Sequence, residues 1–329
     1  MKKIHLYFLT EPQGDRYIKG DRHFINLVKK LFFPDKKISG VKKVFINLAK
    51  GFDELKVDYD VNLPFKKIKA GEPVVVLGSG RYALKNYTAS NKIIAGIALM
   101  THPNEWRDLF EEYPVAIYLQ HSEWAMKLYA NHYGNDKCGI WPAGIDTKKW
   151  SPDKRMTRQY DILIYNKIMW DKDETYDNLA RPIIAKLEHM GLSYTEIVYG
   201  NYQEAAYFDL LNKSKAMVFL CEHESQGFAC CEAMSMNIPV FAWDQGWFLD
   251  PQLKTRWNEP GPVPASSVPF FDDTCGMQFA DYADFSSKIG NFWKNVEAGT
   301  YHPRDYILQN LTIEKSAQAM LDQIESVYS

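Results

Sequence analysis

Cysteine is scarce in this chain: five residues in 329, scattered along its length. So few thiols in so long a chain do not make a disulfide framework, and the expected compartment is the reducing cytoplasm. Long hydrophobic runs are missing too. The longest, Ile93 to Met100, falls far short of the roughly 20 apolar residues that cross a bilayer. Met1-Lys-Lys-Ile-His-Leu-Tyr-Phe-Leu-Thr10 imitates the start of a signal peptide. Its apolar core is short, contains His5, and runs into Glu11-Pro12-Gln13 where a small-residue cleavage site would stand, so a buried first strand is expected there. Low-complexity segments and short tandem repeats are absent, and with 46% apolar and 14% aromatic residues the chain reads as globular, long enough for two domains.

Net charge is also nearly absent, at −2, but the total hides an asymmetry. Residues 1–152 hold 24 Lys and Arg against 16 Asp and Glu, while the remainder holds 15 against 25. Halves this different face different partners. The basic excess gathers in Val28–Lys43 and Phe65–Lys69. Lysines beside Leu31, Phe32 and Phe33 suit an anionic membrane surface, each adding about 1 kcal/mol there; a solvated helix end and turn accounts for them equally well. Nucleic acid is not expected as a partner, because the lysines form two patches without a DNA- or RNA-reading motif.

Apolar strands alternate with helical patterns, the signature of parallel sheets built from βαβ units. In the first half, strands are expected at Ile4–Leu9, Lys43–Leu48, Val74–Leu77, Lys92–Ala98 and Val115–Leu119, with helices at His23–Leu31 and Glu123–His132. In the second half, strands are expected at Asp161–Tyr165, Tyr194–Val198, Ala216–Leu220 and Pro239–Ala242, alternating with helices at Asp177–Met190, Ala205–Lys213 and Phe228–Met236. A polar, Gly- and Pro-bearing break, Gly144–Pro152, separates the halves, and Arg304–Tyr328 has helical apolar spacing. The implied architecture is α/β: two doubly wound domains across a cleft, over residues 1–150 and 151–303, with a C-terminal helical segment over 304–329. Ligands of such sheets bind beyond the carboxyl ends of the strands.

Val74-Val-Val-Leu-Gly-Ser-Gly-Arg-Tyr-Ala83 has the spacing of a dinucleotide-binding turn. The next acid, Glu105, lies well past the end of the following strand, where a ribose-binding carboxylate is needed, and the turn follows a middle strand. A glycine-rich turn near the cleft, at Gly78, is the preferred reading, with a nicotinamide-dependent oxidoreductase as a remote alternative.

The densest chemistry lies in Cys221-Glu-His-Glu-Ser-Gln-Gly-Phe-Ala-Cys-Cys-Glu-Ala-Met234. A zinc site is one reading, but Cys230 and Cys231 are adjacent on a helix and point about 100° apart, whereas structural zinc favours paired ligands two to four residues apart. Small buried cysteines are preferred, with Glu222 and His223 as loop surface or cleft lining. The strand-to-helix reading puts Glu224 on the connecting loop and Glu232 one turn into the helix. Gly227 permits close backbone approach, and a helix start attracts phosphate. Two carboxylates bracketing that site would accept hydrogen bonds from sugar hydroxyls.

Glu224-Ser-Gln-Gly-Phe-Ala-Cys-Cys-Glu232-Ala-Met, followed by Ile238-Pro-Val-Phe, resembles the E-x7-E motif of retaining GT-B glycosyltransferases, family 4 most of all. Ile140–Pro152 is similar to that family's linker phrase, Lys167 and Lys172 to the two basic residues of its donor-phosphate motif, and Tyr301–Asn310 to its C-terminal segment. Lys19-Gly20 stands where the family often has Gly-Gly. Three departures are visible: Lys167 for arginine, Asn166 for glycine and Asn237 for glycine. Lysine keeps the charge but loses the planar fork.

The resemblance implies two Rossmann-like domains facing across a cleft, with the C-terminal helix crossing back to the first. It implies a hexosyltransferase acting with retention on a UDP- or GDP-linked sugar and a glycan or lipid-linked acceptor, in polysaccharide biosynthesis, with no cofactor and no metal. Lys167 and Lys172 would neutralise the diphosphate, Glu232 hold the ribose and Glu224 contact the donor sugar. Backbone amides of Gln226, Gly227, Phe228 and Ala229, with Ser225 beside them, would touch phosphate or sugar, and Gly200 would lie beside the base. His102 would stand near the anomeric carbon; with Glu224 and Lys172 it makes up the expected catalytic set. Lys19, Gly20, Gly78 and His102 would line the acceptor or sugar side. The basic first half would receive an anionic acceptor or the membrane carrying it. A catalytically silent nucleotide- or glycan-binding protein of the same fold is the alternative, and a glycosidase would leave the lysines without a purpose.

Overall fold

The computed structural model describes residues 2–11, 39–153 and 155–329. The expected helix His23–Leu31, Lys19-Gly20 and most of the Val28–Lys43 basic stretch lie outside the described residues.

Among the described residues, eleven strands form two wholly parallel sheets. The first contains β1 (Ile4–Tyr7), β2 (Tyr59–Val61), β3 (Val74–Ser79), β4 (Ile93–Ala98), β5 (Val115–Gln120) and β6 (Cys138–Ile140), in the order β2-β1-β3-β4-β5-β6. The second contains β7 (Tyr160–Lys167), β8 (Tyr194–Val198), β9 (Ser214–Cys221), β10 (Val240–Trp243) and β11 (Gly276–Phe279), in the order β8-β7-β9-β10-β11. Central strands such as Val74–Leu77 and Ala216–Leu220 are buried on both faces, which is why they read as continuous apolar runs instead of alternating ones. Among the described residues, the helices of eight or more residues are α1 (Gly40–Glu54), α2 (Glu123–Tyr133), α3 (Arg181–His189), α4 (Glu204–Lys213), α5 (Phe228–Ser235), α6 (Tyr282–Glu297), α7 (Pro303–Asn310) and α8 (Ile313–Tyr328). None of the helices among the described residues is long and apolar enough to cross a membrane.

The expected strand Lys43–Leu48 is instead the first half of α1. Its buried residues, Val44, Asn47, Leu48, Gly51 and Phe52, recur at helical spacing, and the Ser39 hydroxyl accepts the Lys42 amide at 3.3 Å to cap the first turn. The β-branched and aromatic run Val44-Phe-Ile46 suggested a strand, but a stripe continued over three turns outweighs local propensity. Short strands β2, β6 and β11 and helix α6 complete the pattern without having been anticipated.

In each sheet the strand order reverses beside the first strand, between β1 and β3 and between β7 and β9. These reversals place crevices at the carboxyl ends of the strands. Among the described residues, the chain passes between the halves at three places. Residues Gly144 to Trp150 link them, with Asn47 donating to the Gly144 carbonyl at 2.7 Å and Lys50 meeting Asp146 at 2.8 Å. At the end, α8 returns to the first sheet, where Ala317, Met320, Leu321 and Ile324 pack with Ile4, Leu6, Val44 and Phe52. The third crossing is a long strap between β10 and β11: Phe248, Leu253, Trp257 and Ala265 are buried in the core of the first half beside Trp106 and Tyr118.

Candidate active site

The site grows from the reversal between β7 and β9. Lys167 closes β7, opposite Cys221 at the end of β9. Beyond these ends the chain runs through Glu222–Gly227 into α5, and Glu224 turns back so that its Oε1 takes a hydrogen bond from Lys167 Nζ. That ammonium also lies 4.6 Å from the centre of the Tyr199 ring. Burial opposes the charge on Lys167, but the facing Glu224 carboxylate outweighs it and raises the lysine's pKa, so the ammonium persists at neutral pH.

Glu222 is buried, 4% exposed, which rules out loop surface, one of the two readings its sequence context offered beside cleft lining. Its Oε1 accepts the amides of Met169 and Trp170 at 2.8 and 3.1 Å, fixing the turn between Lys167 and Lys172. Lys172 itself is exposed at the first turn of a helical stretch, Lys172–Thr175, that continues through Tyr176–Ala180 into α3. Gly200, with φ +95°, ends the turn after β8, where the Tyr199 amide donates to the Asn166 carbonyl at 2.8 Å. Lys167, Glu224 and the Tyr199–Gly200 turn therefore meet at one crevice.

Gly227 has φ 70° and ψ 52° immediately before α5, a conformation that excludes most side chains. Gln226 is buried, and its amide is committed to the linker: Oε1 accepts from the Ala143 amide at 2.9 Å and Nε2 donates to the Ala143 carbonyl at 3.1 Å. Ser225, Phe228 and Ala229 are half-buried around it, and the Ala229 carbonyl accepts the Tyr207 hydroxyl at 2.6 Å. At the far end of α5, Asn237 takes φ 58°; asparagine tolerates this left-handed position best after glycine, which accounts for its standing where the resembling family has glycine.

Glu232 lies on α5 and is 3% exposed. Its Oε1 accepts Lys43 Nζ, reaching over from α1, at 2.5 Å, and the same ammonium meets Glu204 Oε2 at 2.7 Å. Lys43 also faces the Trp150 and Phe228 rings at 5.4 and 5.7 Å. Burial pushes the Glu232 carboxyl up to about 7 despite the opposing pull of Lys43. Lys43 thus belongs to the interdomain interior and not to a basic outer patch.

His102 is fully enclosed, and it is the strap that encloses it. Trp257 stacks on its ring at 4.8 Å and 7°, and Glu259 Oε1 lies 3.0 Å from its Nε2 and 2.9 Å from His132 Nε2. Burial lowers the His102 pKa, with Glu259 pulling the other way. His102, His132 and Glu259 are, among the described residues, the one grouping compact enough for a metal, with ligand atoms within 4.8 Å. The set does not fit one: His102 Nδ1 accepts the Asn104 amide at 3.2 Å, so in the neutral ring the proton sits on Nε2 and leaves no lone pair there. The thiols of the second candidate set diverge. Cys230 Sγ lies 3.8 Å from Met234 Sδ, Cys231 Sγ 3.6 Å from the Gln226 carbonyl and Cys221 Sγ 3.4 Å from the His223 carbonyl. His223 packs between Trp124 and Phe248, and burial brings its pKa down to about 3, helped by Lys167.

Gly78 is a close-packing position: a Cβ there would come within 2.2 Å of Ala83 Cβ. Only a short turn, Arg81–Leu84, follows, so no helix start is available to hold a pyrophosphate, and the dinucleotide reading falls away.

Comparison with solved structures agrees with the two-sheet architecture. The chain superimposes over 100% of its length on 98% of AviGT4, a glycosyltransferase involved in avilamycin A biosynthesis, with a TM-score of 0.58 at 14% identity. It covers 99% of the lipopolysaccharide outer core galactosyltransferase WaaB, using 99% of its own length, with a TM-score of 0.50 at 11% identity. The pneumococcal O-GlcNAc transferase GtfA matches 86% of this chain over 60% of its own, with a TM-score of 0.54 at 10% identity. The fold is GT-B. No protein-family model matches the chain, and no curated protein matches it in sequence.

Within this GT-B fold, sequence reasoning missed Lys43, Glu222, Trp124 and the strap residues Trp257 and Glu259. Trp124 Nε1 donates to the Glu224 carbonyl at 3.0 Å. The one signal for the strap was the proline-rich run Glu259-Pro-Gly-Pro-Val-Pro264, placed in an unusually long connection.

Proposed function

We propose that the protein transfers a hexose from a UDP- or GDP-linked sugar to a glycan or lipid-linked acceptor, with retention and without a metal. The observation that carries this reading is the Lys167–Glu224 pair at the strand-order reversal of the second sheet. It is supported by the GT-B fold and by the pneumococcal transferase of the same fold, whose structure holds UDP and GlcNAc. In the reaction the bond between the anomeric carbon and the terminal phosphate oxygen breaks, and the nucleoside diphosphate leaves with the electron pair. The acceptor oxygen bonds to that carbon from the same face, and its proton passes to the departing phosphate. Lys167 and Lys172 stabilise the leaving charge, with the start of α5 adding its dipole. Glu224, once diphosphate draws Lys167 away, is free to accept hydroxyls of the donor sugar. Glu232 takes the ribose hydroxyls after Lys43 is displaced. His102 acts through Glu259 as a positioning residue.

One pair of observations favours the second reading, a catalytically silent nucleotide-binding protein: Lys43 already occupies Glu232, and the strap already encloses His102. Turnover separates the two. Thermal-shift titration with UDP, GDP and ADP, followed by donor-consumption assays, should show stabilisation by UDP or GDP and release of diphosphate. Binding without release would establish the silent reading. Stabilisation by no nucleotide would overturn both.

A further inference from the structure

A cavity of about 600 Å³ opens between the start of α2 and the proline-rich part of the strap, inside the range of about 300–1,000 Å³ common for ligand sites. It shares a wall with the donor crevice but not its lining. The Glu224 amide donates to the Ser266 carbonyl at 2.9 Å and its carbonyl accepts Trp124 Nε1, and both Ser266 and Trp124 line the cavity. The Glu224 side chain turns instead to Lys167, which does not line it.

We propose that this cavity is the acceptor subsite and takes a neutral hexopyranose ring of a glycan. The chemistry of the walls is that of a sugar site. With its N–H committed to Glu224, Trp124 has only apolar ring surface left to offer, the match for the C–H face of a pyranose. Pro260, Pro262 and Leu128 add apolar surface around it. Polar groups stand at the edges: the Asn131 amide, the Glu259 carboxylate, and Ser122, which is 3% exposed with an Oγ lacking any partner among the described residues. Glu259 meets both imidazoles through Oε1, leaving Oε2 with no hydrogen-bond partner among the described residues. The one cation in the lining, Lys127, is paired with Glu123 at 2.6 Å, so Glu259 is the carboxylate of the lining without a lysine partner, and it selects against a phosphorylated or acidic ring. Because the walls come from both halves of the chain, the subsite exists only while the strap is docked.

This inference rests on the glycosyltransferase reading, and its test separates the two. Saturation-transfer NMR is run with methyl glucoside, galactoside, mannoside and N-acetylglucosaminide on the wild type, on Asn131→Trp and Pro262→Trp, which fill the cavity from exposed positions on opposite walls, and on Lys167→Met. At least one hexoside should saturate on the wild type, lose its signal at least tenfold in both filled variants and keep it in Lys167→Met. The filled variants should still be stabilised by UDP or GDP. Nucleotide binding with no hexoside signal overturns the acceptor subsite alone. A signal that survives both fillings, or that vanishes equally in Lys167→Met, also overturns it. Hexoside binding with no nucleotide binding keeps the sugar site and sinks the donor reading.

Discussion

Glu232 is a carboxyl in the interior with a pKa pushed up to about 7 by burial, and the sign of its effect on stability follows. Between about pH 4.5 and pH 7 the unfolded chain has released this proton while the folded chain keeps it. The native state therefore binds more protons, and stability falls as pH rises through that window, by an amount on the order of 3 kcal/mol. Denaturant melts at pH 5 and pH 8 should show the wild type losing stability relative to Glu232→Gln; parallel behaviour would contradict the assignment. Lys167 acts at the same scale. Replacing it with methionine removes a charge-assisted contact to diphosphate of about 1.5–3 kcal/mol, so UDP or GDP affinity should drop roughly ten- to a hundredfold in calorimetric titration. Glu224 and Gly227 stood out because they share one strand-to-helix turn, while Lys167, 57 residues upstream of Glu224, stood out through its five-residue step to Lys172 and the motif that step resembles. Lys43 and Glu259 were not legible. Their partners lie far away along the chain, Glu232 for Lys43 and His102 and His132 for Glu259, and nothing in a linear sequence marks such a meeting.

Among the elements, α1 shows where local reading fails. Val44-Phe-Ile-Asn-Leu48 looks like a strand over five residues and resolves as a helix only over the whole of Gly40–Glu54. The central strands of both sheets were legible because burial on two faces leaves an unbroken apolar run; the three-residue β2 and β6 were too short to stand out. Recasting Lys43–Leu48 as helix changes what Lys43 does. As part of α1 it reaches Glu232, so it competes with any hydroxyl that Glu232 would bind. Lys43→Met should raise nucleotide affinity several-fold at pH 8, measured by titration; an unchanged or weakened affinity would show that Lys43 helps hold the ligand. The buried stripe of α1 includes Gly51, where a Cβ would lie 2.5 Å from the Ile313 carbonyl oxygen and 2.7 Å from Ala317 Cβ on α8. Gly51→Val should cost about 1–3 kcal/mol by forcing these helices apart, read as a lowered melting temperature.

At the scale of the whole molecule, the two-sheet plan was visible in the alternation of strands and helices, and the return of the C-terminal segment was implied by its resemblance. The strap was not, because Pro/Gly-rich composition marks a connection without saying what it touches. Its effect is large all the same. The strap belongs to the second half by chain order and to the first by packing, with Leu253 and Trp257 buried beside Trp106; α8 does the same on the opposite face of that sheet. Neither half owns a complete core. Heating should therefore give one calorimetric endotherm whose van't Hoff and calorimetric enthalpies agree, although the chain is built on two separate sheets. A nick in the Gly144–Pro152 linker should leave both fragments bound to each other until that single transition is reached.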